Sequence, residues 1–152
     1  MGDCLMKKIS IFVVEDHQLF RKGLVNVLNQ FTDLEVIGEA ATIRDAMENI
    51  QRLQPKIVIM DVFLPDGDGV EAASEVRRKF PEVEVIILTI SDDIEILNRA
   101  VRAGAKGYLV KGEGLKEIVE TIRLVAQGNL AISSYLIDRR FPQNQERQDG
   151  GY

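Results

Sequence analysis

Five residues of this sequence carry its chemistry, and each stands at the end of a short apolar run. Glu15 and Asp16 follow ISIFVV, Asp61 follows IVIM, Thr89 closes the run that starts at Val83, and Lys111 follows KGYLV. Three carboxylates brought together repel one another, and without a counter-charge at least one pKa rises. A divalent cation relieves that repulsion. All-oxygen ligands without His or Cys favour a hard ion, with Mg²⁺ the commonest candidate. Lys111 and Thr89 add an ammonium and a hydroxyl, which suits the set to a phosphoryl group. The cation and the Lys neutralise its oxygens, and the Thr donates a hydrogen bond. A carboxylate in such a pocket can accept the group as an acyl phosphate. Asp61, at the end of the central apolar strand, is the best acceptor.

Taken singly, each residue has an ordinary role. An Asp after a strand is usually a turn former or a helix cap, a Lys at a strand end is usually solvated, and Thr89 suits a cap as well as a site. Their joint placement separates the two readings. Ordinary turn chemistry does not select acid, acid, hydroxyl and base at the ends of strands one, three, four and five.

The elements that position them follow from periodicity. Short, β-branched apolar runs predict strands over 9–14, 34–40, 57–60, 83–88 and 106–110. Apolar residues at spacings of three, four and seven predict helices over 17–31, 43–53, 70–80, from Asp92 or Asp93 to about 103, and over 114–127. Thr42 suits the cap of the second helix, Pro55 and Pro81 stop the second and third, and Gly128 stops the fifth. Such alternation predicts an α/β fold, a doubly wound parallel sheet covered on both faces. The carboxyl ends of parallel strands share one edge, and ligands bind there, where the strand order reverses. If strands one and three are neighbours, Glu15, Asp16 and Asp61 converge.

Composition narrows the class. The chain has 152 residues, 45% hydrophobic and 28% charged, which suits one globular domain and excludes a disordered chain, a coiled coil or a collagen repeat. Lys and Arg number 19 against 24 Asp and Glu, so the net charge is 19 − 24 = −5. An acidic chain is a poor counterion for phosphate backbone, and no nucleic-acid binding is expected of it alone. The single cysteine, Cys4, allows no internal disulfide, and the single histidine, His17, no multi-histidine metal site. No apolar run approaches the roughly 20 residues of a membrane helix. The first eight residues lack a secretory signal. A cytoplasmic location without membrane contact is expected. From Arg139 the sequence turns polar. The expected organisation is an N-terminal extension over 1–6, one domain over 7–128, and a linker or disordered tail over 129–152.

These residues also match a family. The chain resembles the response-regulator receiver domain of bacterial two-component signalling. The matching segments are VVEDH, IVIMDVFLPDGDG, VIILTIS and GYLVKGE, spread over residues 9 to about 127. The resemblance implies a flavodoxin-like fold with five strands in the order 2-1-3-4-5 and five helices. It implies that Asp61 is the phosphoacceptor and that Asp16 binds Mg²⁺ directly, with Glu15 acting mainly through water. The backbone carbonyl of Phe63 is then a further metal ligand. Thr89 and Lys111 contact the phosphoryl group, and Tyr108 is an aromatic switch residue. Pro65 and Gly69 shape the loop after the acceptor.

The implied partners are a sensor histidine kinase and, on phosphorylation, a second copy of the chain. The implied chemistry is limited to the domain's own Mg²⁺-dependent phosphoryl transfer and dephosphorylation; it is not otherwise an enzyme. GEAATIRDA and GNLAISSYL are similar to a subfamily that carries a helix-turn-helix DNA-binding domain after a linker. Only 25 residues (152 − 127) follow Gln127. The expectation is therefore a piece of a longer transcription regulator. The alternative is a stand-alone receiver acting through protein–protein contacts or a phosphorelay. Two positions depart from the common pattern: Ile90, where many receivers have a small residue, and Gly112, where many have Pro.

Three rivals are weaker. Asp66, Asp68, Gly69 and Glu75 fit the third, fifth, sixth and twelfth positions of a calcium loop, but Leu64 occupies the first and offers no carboxylate. The fold also allows a doubly wound enzyme or nucleotide-binding protein, but Glu15-Asp16-His17 stands after strand one in place of a glycine-rich loop. The intact acidic set opposes a degenerate receiver that is never phosphorylated.

Overall fold

The structure, a computed structural model, describes residues 7–140, the side chains of 138–140 excepted. The expected N-terminal extension with Cys4, and the tail from residue 141, lie outside the described residues.

Strand β1 (Ile9–Val14) leads to α1 (Gln18–Leu28), β2 (Leu34–Ala40) and α2 (Ile43–Leu53). Next come β3 (Ile57–Met60), the small hairpin β4 (Phe63–Leu64) and β5 (Gly67–Asp68), and α3 (Gly69–Lys79). The chain continues through β6 (Glu84–Thr89), α4 (Ile94–Arg102), β7 (Gly107–Val110) and α5 (Leu115–Ala126). It closes with β8 (Ala131–Ile132) and α6 (Ser134–Arg140).

Side-chain caps fix several helix starts. Thr42 Oγ1 accepts from the Asp45 N–H at 3.1 Å, Asp68 Oδ1 from Val70 at 2.7 Å, and Asp93 Oδ1 from Glu95 at 2.9 Å. Asp93, of the two candidates, thus caps α4. His17 stands just outside α1 as its cap, accepting from the Phe20 N–H through Nδ1.

The main sheet runs β2-β1-β3-β6-β7-β8, all parallel. The first five of these are the predicted strands in the order 2-1-3-4-5. The count differs from expectation. Among the described residues the parallel sheet has six strands and there are six helices, because part of the segment read as a linker joins the fold. The Ala131 N–H donates to the Lys106 carbonyl at 2.8 Å and the Ser133 N–H to the Tyr108 carbonyl at 3.0 Å, pairing an otherwise open edge. Leu136 is fully buried. A two-residue strand has no periodicity to read, which is why the sequence did not announce it.

Successive strand residues point to opposite faces and build two core layers. Phe12, Val14, Val58, Met60, Ile87 and Tyr108 pack on the side of α2, α3 and α4. Ile11, Val13, Ile57, Ile59, Ile86 and Leu109 pack on the side of α1 and α5. Among the described residues no helix is long and apolar enough to cross a membrane.

The turn after β3 brings α3 back against the acceptor strand. A Cβ on Gly69 would lie 1.9 Å from the Asp61 carbonyl oxygen, closer than any side chain can approach. Gly69→Ala should therefore push apart the end of β3 and the start of α3. The expected cost is about 1–3 kcal/mol, the range for overpacking a filled site. Urea unfolding of the two proteins measures it; an unchanged midpoint would show that the backbone yields there freely.

Candidate functional site

The backbone sets the edge before any side chain acts. The Glu15 N–H donates to the Ala40 carbonyl at 2.9 Å and the Asp61 N–H to the Val14 carbonyl at 3.1 Å. Each acid thus continues the ladder of its strand. Glu15 and Asp61 are buried, at 3% and 5% exposure, while Asp16 is exposed. One carboxylate oxygen from each lies within 4.8 Å of the others. The predicted convergence occurs.

Lys111 crosses this group from β7. Its Nζ is 2.6 Å from Glu15 Oε1 and 3.1 Å from Asp61 Oδ2. The ring of Phe20 lies beneath the same ammonium, 4.7 Å from Nζ to its centroid. The His17 N–H donates to Glu15 Oε2 at 2.9 Å, and the Phe63 N–H to Asp61 Oδ1 at 3.3 Å. Arg21 donates to the Glu15 carbonyl at 2.6 Å and pairs with Glu39, so Glu15 is held from behind.

Burial pushes the Glu15 carboxyl up, and the charge of Asp61 adds to it; the hydrogen bonds from Lys111 and His17 only partly offset this. Burial alone would lower Lys111, but the hydrogen bond to Glu15 and the charges of Asp61 and Glu15 outweigh it and raise the ammonium. One ammonium faces three carboxyl groups, so the acids outnumber the cation at this edge. An all-oxygen donor set with that deficit fits a hard divalent cation.

A cleft of about 450 Å³ opens over the three acids and Lys111, walled by His17, Phe20, Phe63 and Ile90. Phe63 and Ile90 are exposed, at 52% and 71%. Thr89 is fully buried and does not line the cleft. Its hydroxyl accepts from the Ser91 N–H at 3.3 Å, and its carbonyl from the Lys111 N–H at 2.6 Å. Tyr108 lies outside the cleft, in the core.

Sequence reasoning missed Phe20 as a site residue, because a helix-face aromatic reads as core. The calcium-loop carboxylates are occupied elsewhere. Asp66 accepts from the Ile43 and Arg44 N–H groups at 2.9 and 3.0 Å, and Asp68 pairs with Arg99 at 2.5 Å besides capping α3. The segment entering that loop is a strand, β3, rather than a helix.

Residues 11–123 match the response regulator receiver domain. The chain belongs to this family. DegU of Brevibacillus brevis, a transcriptional regulatory protein, is 34% identical over 125 residues, 82% of this chain and 53% of the relative. The response regulator GacA of Pseudomonas protegens is 38% identical over 125 residues, 82% of this chain and 59% of the relative. The receiver thus spans about half the length of the curated relatives it matches. Among solved structures, the signal receiver domain of the putative response regulator NarL from Mycobacterium tuberculosis is 32% identical with a TM-score of 0.77, covering 81% of this chain and 99% of that one. A LuxR-family response regulator from Aurantimonas sp. SI85-9A1 is 27% identical with a TM-score of 0.86, covering 91% and 99%.

Tyr108 of the receiver is 1% exposed, and among the described residues its hydroxyl has no hydrogen-bond partner. Burial pushes the phenol well above its ordinary value, with the charges of Asp93 and Asp92 adding to the effect. A raised folded-state pKa contributes stability below the unfolded value near 10, which is lost as pH rises from there. Tyr108→Phe should be neutral or stabilising by about 1 kcal/mol at pH 7, since it removes an unsatisfied buried hydroxyl. It should also flatten the loss of stability above pH 10, where an ionisable phenol no longer distinguishes the two states. Denaturant midpoints measured from pH 7 to 11 check both; a variant markedly weaker at pH 7 would mean that the hydroxyl has a partner.

Proposed function

We propose that this receiver takes a phosphoryl group onto Asp61 from a sensor histidine kinase and changes conformation in response. The observation that carries the reading is the Lys111 ammonium bridging Glu15 and Asp61 beside Asp16, in an open cleft. An Asp61 carboxylate oxygen forms a bond to phosphorus as the bond from phosphorus to the kinase's histidine nitrogen breaks. The electron pair leaves on the imidazole, which takes up a proton.

Asp16, Asp61 and the Phe63 carbonyl hold Mg²⁺ in this reading, with Glu15 acting through water. When bound, the ion supplies two positive charges against the acids and the transferring oxygens. Lys111 turns from its carboxylate partners to the phosphoryl oxygens. The Thr89 hydroxyl leaves the Ser91 N–H and donates to the same group. Tyr108 follows Thr89 as the switch residue. No chemistry beyond this phosphorylation and its reversal is assigned to the chain.

DegU is named as a transcriptional regulatory protein, and the same output fits the present receiver as part of a longer cytoplasmic regulator. Pairing with a second copy on phosphorylation completes the scheme. A chain of net charge −5 leaves DNA contact to another domain.

Incubation with acetyl phosphate and Mg²⁺ should add the mass of one phosphoryl group, labile to hydroxylamine. Asp61→Asn should abolish the addition, and Asp16→Ala should lose it together with metal binding. Unchanged labelling of the Asn variant would sink the assignment.

The lifetime of the acyl phosphate follows from the cleft walls. Hydrolysis needs a water in line with the breaking bond. Phe63 and Ile90 both border the cleft with apolar side chains that cannot orient a water. Phe63→Asn with Ile90→Ala should speed phosphate loss, each tenfold change corresponding to about 1.4 kcal/mol of barrier. An unchanged decay rate would show that these residues do not set the lifetime.

A further inference from the structure

The segment after α5 touches both loops that carry the phosphoryl-binding groups. Its backbone pairs β8 with β7 through Ala131 and Ser133. Two side chains then reach across the sheet edge. Ser133 Oγ donates to Glu113 Oε1 at 2.5 Å, and the other Glu113 oxygen accepts from the Val110 N–H at 2.9 Å, next to Lys111. Tyr135 donates from its hydroxyl to Asp92 Oδ2 at 3.1 Å, three residues after Thr89. A cleft of about 410 Å³ lies between these two loops, lined in part by Ile90, Asp92, Lys111, Glu113 and Tyr135. One short segment is therefore tied at once to the loop of Thr89 and the loop of Lys111.

The segment's own hold on the domain is small. A two-residue strand and a seven-residue helix have little stability by themselves. Leu136 is its one fully buried large apolar side chain, packed in the layer that contains Tyr108, while Leu130, Tyr135 and Ile137 are exposed. The strands beneath are close-packed and resist gradual deformation. The loops are where a change at Asp61 can be expressed. A phosphoryl group that draws the Thr89 hydroxyl from Ser91 and the ammonium from Glu15 shifts both loops, and with them Asp92 and Glu113. Ser133 and Tyr135 sit two residues apart and cannot follow two loops that move separately.

We propose that residues 131–137 are a clasp on the phosphoryl-binding loops, held while Asp61 is unmodified and released when it carries a phosphoryl group. The proposal rests on the phosphorylation reading above. Release uncovers the β7 edge, taking from the Lys106 and Tyr108 carbonyls their partners in the segment, and the face of α4 on which α6 packs. It also passes the state of Asp61 to the chain that follows the receiver.

Amide hydrogen exchange of the full chain, with and without phosphorylation by acetyl phosphate and Mg²⁺, tests this. Intact mass is recorded on the same samples. The amides of Ala131 and Ser133 should exchange at least about tenfold faster in the phosphorylated chain, with β1 and β3 unchanged. The double variant Ser133→Ala with Tyr135→Phe should show faster exchange without phosphorylation. By reciprocity it should also bind beryllofluoride with Mg²⁺ more tightly than wild type, by about fivefold or more. Tyr135→Phe alone, at an exposed side chain, provides the same comparison if the buried Ser133→Ala change unfolds the chain. Equal protection of 131–137 in chains that carry the added mass would overturn the clasp and leave the phosphorylation reading standing. No added mass would overturn that reading, and the clasp with it. Wild-type beryllofluoride affinity in a variant with faster exchange would show a purely structural contact and overturn the coupling.

Discussion

Two buried carboxylates and a third at the surface meet at one point of this fold, and a single ammonium stands between them. Moving such charges out of water is costly unless they are paired and hydrogen-bonded. Much of the surrounding structure serves that requirement. The Phe20 ring supports Lys111 from below, and the Lys111 N–H is anchored on the Thr89 carbonyl. The His17 N–H and Arg21 hold Glu15 at its side chain and its carbonyl. The balance is still incomplete. The raised pKa of Lys111 contributes stability below its ordinary value of 10.5, which is lost as pH rises through the folded value. The raised pKa of Glu15 works the other way: ionised Glu15 costs stability above its ordinary 4.5. The charge on the lysine thus stabilises the fold, and the charge on the glutamate does not.

That arrangement depends on a parallel sheet. Only parallel strands put every carboxyl end on one edge, and the order found here makes β1 and β3 neighbours. The loop after Asp61 is then pinned from three sides. Asp66 holds the start of α2, Asp68 the start of α3, and the Asp68–Arg99 pair reaches α4. A partly exposed ion pair contributes little stability by itself. Its effect here is positional, since it fixes the loop that carries Phe63 relative to α4.

Strands such as 57–60 were legible because four buried β-branched or apolar residues admit few other readings. The five chemical residues were legible because each followed such a run. Other features depend on contacts that no local pattern encodes. The pairing of Ala131 with Gly107 is a register between residues far apart in sequence, made by a strand too short to show a period. Phe20 carries the same helix-face signal as Leu24, and only the fold shows that one faces an ammonium and the other the core. The complete burial of Tyr108 depends on its packing in the layer shared with Leu136. Asp92 and Asp93 are equivalent as sequence, but it is the Asp93 side chain that accepts the Glu95 N–H and caps α4.

The incomplete charge balance also links the two ligands proposed for the cleft. Lys111 is already engaged by Glu15 and Asp61, so a phosphoryl group that takes the ammonium removes the hydrogen bond that most lowers the Glu15 pKa. Burial and the remaining negative charge then act on Glu15 without that opposition. Either the acid takes a proton or a cation replaces the ammonium. A proton would relieve Glu15 but would leave Asp16 and the phosphoryl oxygens uncompensated. A divalent cation beside Asp16 meets all three demands at once. In the proposed chemistry, metal and phosphoryl binding are therefore cooperative by charge alone, before any movement of Thr89 or Tyr108, and Lys111 is the residue whose change of partner couples them.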